Sequence, residues 1–302
     1  MRKKKLKLKK EFVKKYSKLT DFNKYEEYIN KFPKQSIRIN TLKISVREFK
    51  KRFDWKLKQI PWCKEGFWIK QGSEGERITI GNTYEHQLGY IYSQISCSMI
   101  PVEVLKPKKD DVVLDMCAAP GSKTTQMAAK MKNQGVIIAN DKKWQRIKAL
   151  VANLQRCGVY NTVVTIEDGR KIKGRYDKIL VDVPCSATGK IKGFTRDSIK
   201  IVKSYSTHLI DVLSKLQKQL LVHGFDLLKE NGTLVYSTCS LEPEEDEEVI
   251  KYLLKERDAK LVKISGFKSK VNSEEKELKK CIKIWPQFYD TEGFFVAKIK
   301  KA

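Results

Sequence analysis

Nothing in this sequence approaches the ~20 consecutive apolar residues that a membrane-spanning helix needs, and its basic opening, MRKKKLKLKKEFVKK, lacks the apolar centre of a signal peptide. The expectation is a cytoplasmic protein without a membrane partner. Its seven cysteines, at 63, 97, 117, 157, 185, 239 and 281, are odd in number and include no Cys-x-x-Cys pair. That pattern suggests neither a disulfide framework nor a zinc site, and leaves reduced thiols available for chemistry. Glycine never falls in the Gly-x-Gly-x-x-Gly pattern of dinucleotide-binding folds, and Ser122 precedes Lys123 where a phosphate-binding loop requires glycine. Acid is scarce as well: 36 aspartates and glutamates face 62 lysines and arginines, a formal net charge of +26. Such an excess makes a polyanion the leading partner, nucleic acid first, because neutralised phosphates release their counterions.

What is present falls into two parts, expected as domains over 1–80 and 81–302. The first is basic and studded with aromatics, among them Phe12, Tyr16, Tyr25, Phe49, Trp62 and Trp68. SIRINTLKI alternates like a strand, SVREFKKRF reads as a helix capped by Ser45, and GFWIK as a second short strand, which predicts a small α+β module. Basic residues interleaved with rings suit single-stranded RNA, although most of these rings are expected to form the module's own core. From residue 110 onward, apolar runs at Val112–Cys117, Val136–Asp141, Thr162–Asp168, Lys178–Val183 and Thr233–Ser237 lack polar alternation, as strands buried on both faces must. Helical patterns at 122–132, 142–157, 198–229 and 243–257 separate them, and EGFFVAKIKK reads as a last strand. The prediction is an α/β fold, a mainly parallel Rossmann-like sheet with an antiparallel last strand.

In VVLDMCAAPGSKTTQMAAKM a strand, a small-residue turn ending in Pro120-Gly121 and a helix follow directly on one another, bringing backbone N–H groups to a ligand. Asp141 ends the next strand, where a carboxylate can bind ribose hydroxyls, and Asp168 ends the third, where it can face an adenine amino group. The pattern resembles class I S-adenosylmethionine methyltransferases, whose cofactor has no pyrophosphate.

Two further strand ends carry thiols. YDKILVDVPCSATG ends in Asp182-Val183-Pro184-Cys185, and VYSTCSLEPEEDEE places Cys239 at the tip of a strand. Ligands of open α/β sheets bind off the carboxyl ends of the strands, at the point where strand order reverses. If the two strands pair, both cysteines and Asp182 converge on one pocket. The acidic run from Glu242 to Glu248 is expected to start and solubilise helix 243–257 through the helix dipole, with no part in the site.

LDMCAAPGSKT, DVPCSATG and YSTCSLEPEEDE, preceded by SIRINTLK and followed by TEGFFVAKI, resemble the Sun-type (Fmu/NSUN) RNA cytosine-5 methyltransferases over residues 36 to 300. The resemblance implies S-adenosylmethionine as cofactor and RNA as substrate; the compact, lysine-rich chain tilts the expectation to an archaeal tRNA enzyme ahead of ribosomal RNA, and a monomer is expected. It implies Cys239 as nucleophile, Cys185 as the thiol that assists product release, Asp182 against the target cytosine and Lys123 at the meeting point of cofactor and base. The cofactor set it implies is Cys117, Ala118, Ala119, Pro120, Gly121, Lys123, Asp141, Arg146, Asp168 and Asp182, with no metal. The chain departs from the family pattern at Ile95, where relatives often carry an acid, and at Ile284 and Gln287, in place of arginine and histidine.

Overall fold

In the computed structural model, which describes residues 6–69, 79–267, 271 and 275–301, SIRI forms the inner strand of a small antiparallel sheet. Its strands are β1 (Ser36–Ile39), β2 (Leu57–Gln59), β3 (Gly66–Ile69) and β4 (Ile91–Ser93), in the order β2-β3-β1-β4. The helix Val46–Arg52, capped as expected by the Ser45 hydroxyl accepting from the Glu48 N–H, packs Phe49 onto Ile37, Ile39, Phe67 and Ile91. This differs in two ways from a single module over 1–80. The sheet takes β4 from beyond that boundary, where Ile91 is fully buried. The first helices, Lys10–Leu19 and Phe22–Ile29, leave the sheet altogether: Phe12, Tyr16 and Tyr25 pack with Ile191, Tyr205, Leu241 and Trp285 of the second part. These large rings bury their apolar surface against the second part instead. The first five residues of the lysine-rich opening lie outside the described residues, as does Lys70 of GFWIK.

The second part holds β5 (Val112–Asp115), β6 (Val136–Asn140), β7 (Thr162–Thr165), β8 (Tyr176–Asp182), β9 (Leu228–Thr238), β10 (Ala259–Leu261), β11 (Ile282–Ile284) and β12 (Phe294–Lys301). Their order is β10-β12-β9-β8-β5-β6-β7, with β11 on β12. β5 to β9 run parallel and β12 runs antiparallel to β9, so the last strand is reversed as expected. Strand order reverses between β5 and β8, and Leu114, Ile179, Leu180, Leu234 and Val235 at that seam are fully buried.

Three boundaries moved. The helix expected over 198–229 is two, Arg196–Ser204 and Thr207–Asp226, because Tyr205 and Ser206 are extended. β9 starts at Leu228, five residues early, and passes through Asn231 at φ 61. The helix expected from 243 begins only at Glu247, for a reason that belongs to the site. Among the described residues no helix is long and apolar enough to cross a membrane.

Candidate active site

Off the carboxyl ends of β5 and β8 lies a cavity of about 490 Å³. One wall is the turn after β5. It runs through Cys117, Ala118, Ala119 and Pro120 to Gly121, whose φ of 101 only glycine adopts without strain and whose added Cβ would strike Leu150 at 2.9 Å. The helix Ser122–Met131 then begins, and its second residue, Lys123, points back into the cavity. Lys123 Nζ donates to Asp182 Oδ2 at 2.7 Å and to Ser98 Oγ at 2.9 Å, while Ser237 Oγ donates to Asp182 Oδ1 at 2.6 Å. Both oxygens of Asp182 are thereby fixed. The SIRIN strand supports the same helix from behind: buried Arg38 donates to Gln94 Oε1 and Thr125 Oγ1, each at 2.8 Å.

Opposite the turn stand the thiols. Parallel pairing of β8 with β9 aligns Asp182 with Ser237, and the loops beyond bring Cys185 Sγ to 3.0 Å from Cys239 Sγ. Two glycines allow this closeness. Gly189 N–H donates to the Cys239 carbonyl at 3.0 Å, Gly293 N–H to the Gly189 carbonyl at 2.7 Å, and a Cβ on Gly189 would meet Gly293 O at 2.3 Å. The environment separates the two sulfurs. The hydrogen bond from Cys185 pushes Cys239 down to about 7, with Lys190 and Lys123 adding positive potential against burial and Asp182. The same bond, burial and nearby Glu245 push Cys185 well up. Of the two thiols, Cys239 is shifted toward the more acidic side and Cys185 toward the less.

The acidic run corrects the sequence reading. Asp246 stands at the N-cap and Glu247 and Glu248 in the first turn of the helix Glu247–Glu256, as expected, but Glu242, Glu245 and Asp246 are fully buried and solubilise nothing. A carboxylate survives burial only where donors surround it, and each of these has them. Glu245 accepts from Ser186 N–H at 2.9 Å, Gln217 Nε2 at 2.9 Å, Ser240 Oγ at 2.6 Å and the Ser186 hydroxyl. Asp246 accepts from Thr238 Oγ1 at 2.6 Å and pairs with buried Lys283. Glu242 pairs with Lys15 and accepts from Tyr16 Oη at 2.8 Å. The run therefore braces both cysteine loops from below and ties the first helix to them, which delays the following helix to Glu247.

Of the residues expected at the site, Cys117, Ala118, Ala119, Pro120, Lys123, Arg146, Asp182, Cys185 and Cys239 line the one cavity. Gly121, Asp141 and Asp168 are not on its lining. Asp141 is buried beneath Arg146, whose Nη1 lies 2.9 Å from its Oδ2 and whose Nη2 donates to the Ala119 carbonyl. Asp168 caps the short helix Gly169–Lys171 and is engaged by Arg170 and Lys142, which hold its carboxyl well below the usual range. Lys190, Glu292 and Phe294 line the cavity without having been expected there. For the Glu245 brace a signal existed: both thiols sit in a Cys-Ser pair, and both serine hydroxyls reach this carboxylate. Of the departures from the family pattern, Ile95 lines the cavity, Ile284 is core, and Gln287 donates to Thr20 Oγ1 at 2.7 Å.

Asp115 and Asp182 face the cavity, and burial pushes the Asp115 carboxyl up to about 7. S-adenosylmethionine fits this wall, where the 117–120 turn and Arg146 would hold it. Asp141→Ala is expected to release Arg146 from the turn and raise the Michaelis constant for S-adenosylmethionine about tenfold, leaving RNA affinity unchanged. Equal loss of both in a filter-binding and initial-rate comparison would make Asp141 a support of the strand end only.

A family model described as 16S rRNA methyltransferase RsmB/F matches residues 102–300, and one described as the N-terminal domain of 16S rRNA methyltransferase RsmF matches residues 8–95. The tRNA (cytosine(49)-C(5))-methyltransferase of Pyrococcus abyssi is 43% identical over 98% of this chain and 97% of its own length. Ribosomal RNA small subunit methyltransferase F of Photobacterium profundum is also 43% identical, over 89% of this chain, and the chain spans only 57% of that protein. Among solved structures, a methyltransferase homolog protein from Pyrococcus horikoshii superposes with a TM-score of 0.80 at 36% identity, over 92% of this chain and 90% of its own. NSun6 from the same organism, solved with SFG, an analogue of S-adenosylmethionine, superposes with a TM-score of 0.84 at 26% identity, over 97% and 98%.

Proposed function

The chain belongs to the RsmB/F family of RNA methyltransferases, and on that premise we propose that it methylates C5 of a cytosine in tRNA through a covalent bond from Cys239 to C6. The observation that carries the reading is the pair of thiols 3.0 Å apart beside the Lys123–Asp182 ion pair at the switch point of the sheet. A tRNA substrate is supported by the match to the tRNA enzyme along 97% of that relative, against 57% of the ribosomal one.

Cytosine C5 is a poor nucleophile, and a thiolate added at C6 turns it into an enamine-like carbon. Cys239 forms the S–C6 bond, and the electrons of the C5–C6 double bond move toward the ring's N3, which takes up a proton from solvent, donates it as a hydrogen bond to Asp182, held by Lys123 and Ser237, and gives it back when the double bond reforms. The cofactor, S-adenosylmethionine, supplies the methyl group that C5 then takes up. Water beside Cys185 removes the C5 proton, the double bond reforms, and the S–C6 bond breaks with Cys185 S–H donating to the departing Cys239 sulfur. Cys239 returns as thiolate, and one proton is released overall. The base must leave its stack to enter the cavity.

Bisulfite sequencing of tRNA and ribosomal RNA after incubation with the enzyme and S-adenosylmethionine tests the assignment. A cytosine protected in tRNA is expected. Protection confined to ribosomal RNA would move the substrate, and no protected cytosine in either would sink the reading. Because Cys239 is pushed down to about 7, adduct formation in single turnover should rise about tenfold per pH unit below that value and level off above it. Lys190→Gln removes a positive charge and should move the inflection upward; an inflection that stays in place would strip Lys190 of that role.

A further inference from the structure

We propose that a second cavity, between the N-terminal sheet and the catalytic sheet, is a stacking site for an unpaired nucleotide of the same RNA strand that presents the target cytosine. The proposal rests on RNA being the substrate. The cavity measures about 880 Å³ and shares no lining residue with the reaction cavity. Rings make its walls: Trp62, Trp68, Phe267, Phe288 and Tyr289. Trp62 is at their centre, with its ring 5.7 Å from Trp68, 6.0 Å from Phe267 and 5.8 Å from Tyr289, and its Nε1 anchored on the Ser96 carbonyl at 2.7 Å. The cluster is thus a fixed aromatic surface open to the cavity.

Charge identifies the occupant. Lys58, Lys106, Lys263 and Lys298 rim the same cavity, and none of them forms an ion pair among the described residues. Of the two acids on the rim, Asp290 is paired with Lys192 at 2.9 Å and Lys34 at 2.6 Å, and Glu103 shares Lys130, at 2.9 Å, with Glu65. Burial and the like charges of Lys106, Lys178 and Lys300 push Lys298 down, the mark of a site short of anions. Rings for a base face, and uncompensated lysines for a phosphate, are the two halves of single-strand recognition.

Position ties the groove to the reaction. Ile95, Cys97 and Ser98 line the reaction cavity, and Ile100, Glu103 and Val104 in the following turns line the groove; Gln287–Asp290 line the groove, and Glu292–Phe294 the reaction cavity. Two chain segments therefore pass from one site to the other. An RNA strand opened to release its cytosine has unstacked neighbours, and the groove offers one of them a replacement stack.

The test uses full-length protein with both thiols intact, as Phe288→Ala and as Lys58→Glu/Lys263→Glu. Phe288 is 44% exposed and both lysines are exposed, so these changes leave the fold in place. The probe for the groove is a ten-nucleotide oligouridylate, which has no target base; the probe for the reaction is a tRNA transcript. Each variant should bind the oligouridylate about tenfold or more weakly and raise the Michaelis constant for the transcript by a similar factor, with kcat within about twofold of wild type. Oligouridylate affinity equal to wild type in both variants overturns the proposal and leaves the groove to a protein partner. If the wild-type enzyme protects no cytosine from bisulfite while oligouridylate binding still depends on Phe288 and the lysines, the reaction assignment fails and the groove stands.

Discussion

Cys239→Ala should abolish methyl transfer, a loss of roughly 10⁴-fold or more on the scale of removed covalent nucleophiles, and no RNA adduct should form. Cys185→Ala should do the opposite to the adduct: attack and transfer still occur, elimination slows, and a methylated RNA–protein species accumulates that survives denaturing electrophoresis. The structure adds a second signature. The hydrogen bond from Cys185 is the main cause of the low position of Cys239, so in Cys185→Ala the rise of adduct formation with pH should move up from about 7 toward the ordinary cysteine value of about 8.5. The double variant should behave as Cys239→Ala, since nothing is trapped without the first bond. An adduct from Cys239→Ala and none from Cys185→Ala would exchange the roles of the thiols. Turnover retained in both would end the covalent mechanism.

The parallel sheet was legible because apolar runs lacked alternation, as in strands buried on both faces, although the Thr162 run became the edge strand β7, where Val163 is exposed and the expected burial on both faces fails. With the sheet order came the convergence of Lys123, Asp182, Cys185 and Cys239, since strand ends at the switch point meet whatever the loops do. Three things were not legible. The break at Tyr205–Ser206 carries no proline or glycine and is set by Tyr205 packing against Phe12, 5.1 Å between rings and 193 positions away in the chain. The departure of the first two helices from the N-terminal sheet has the same origin, because an aromatic run does not state which body its rings will join. The acidic run misled most, because six carboxylates in seven residues look like a solvated helix start unless the donors that meet them are known. Those donors are Ser186, Gln217, Lys15 and Lys283, each at least 28 positions away from the carboxylate it meets.

That misread run carries the second large effect. Glu245 joins three elements: the Cys185 loop through Ser186, the Cys239 loop through Ser240, and the helix Thr207–Asp226 through Gln217. Glu245→Ala leaves the Ser186 N–H and one of the two Gln217 amide N–H groups, the other being held by the Pro184 carbonyl, without an acceptor, at about 1–3 kcal/mol for each buried group, and lets the two thiols drift apart. Glu245→Gln keeps the volume and one acceptor oxygen, and the two serine hydroxyls can rotate to accept from its amide, so it should fall between wild type and alanine. A lost brace and a merely loosened fold differ in their pH signature. If Glu245 holds Cys185 against Cys239, alkylation of Cys239 by iodoacetamide should shift its inflection upward from about 7 in Glu245→Ala, and the methylation rate near neutral pH should drop by about tenfold or more as the thiolate fraction falls. Glu245→Gln should restore part of both. A lower melting temperature with the inflection unmoved would leave Glu245 as a core carboxylate that stabilises the fold and has no hold on the nucleophile.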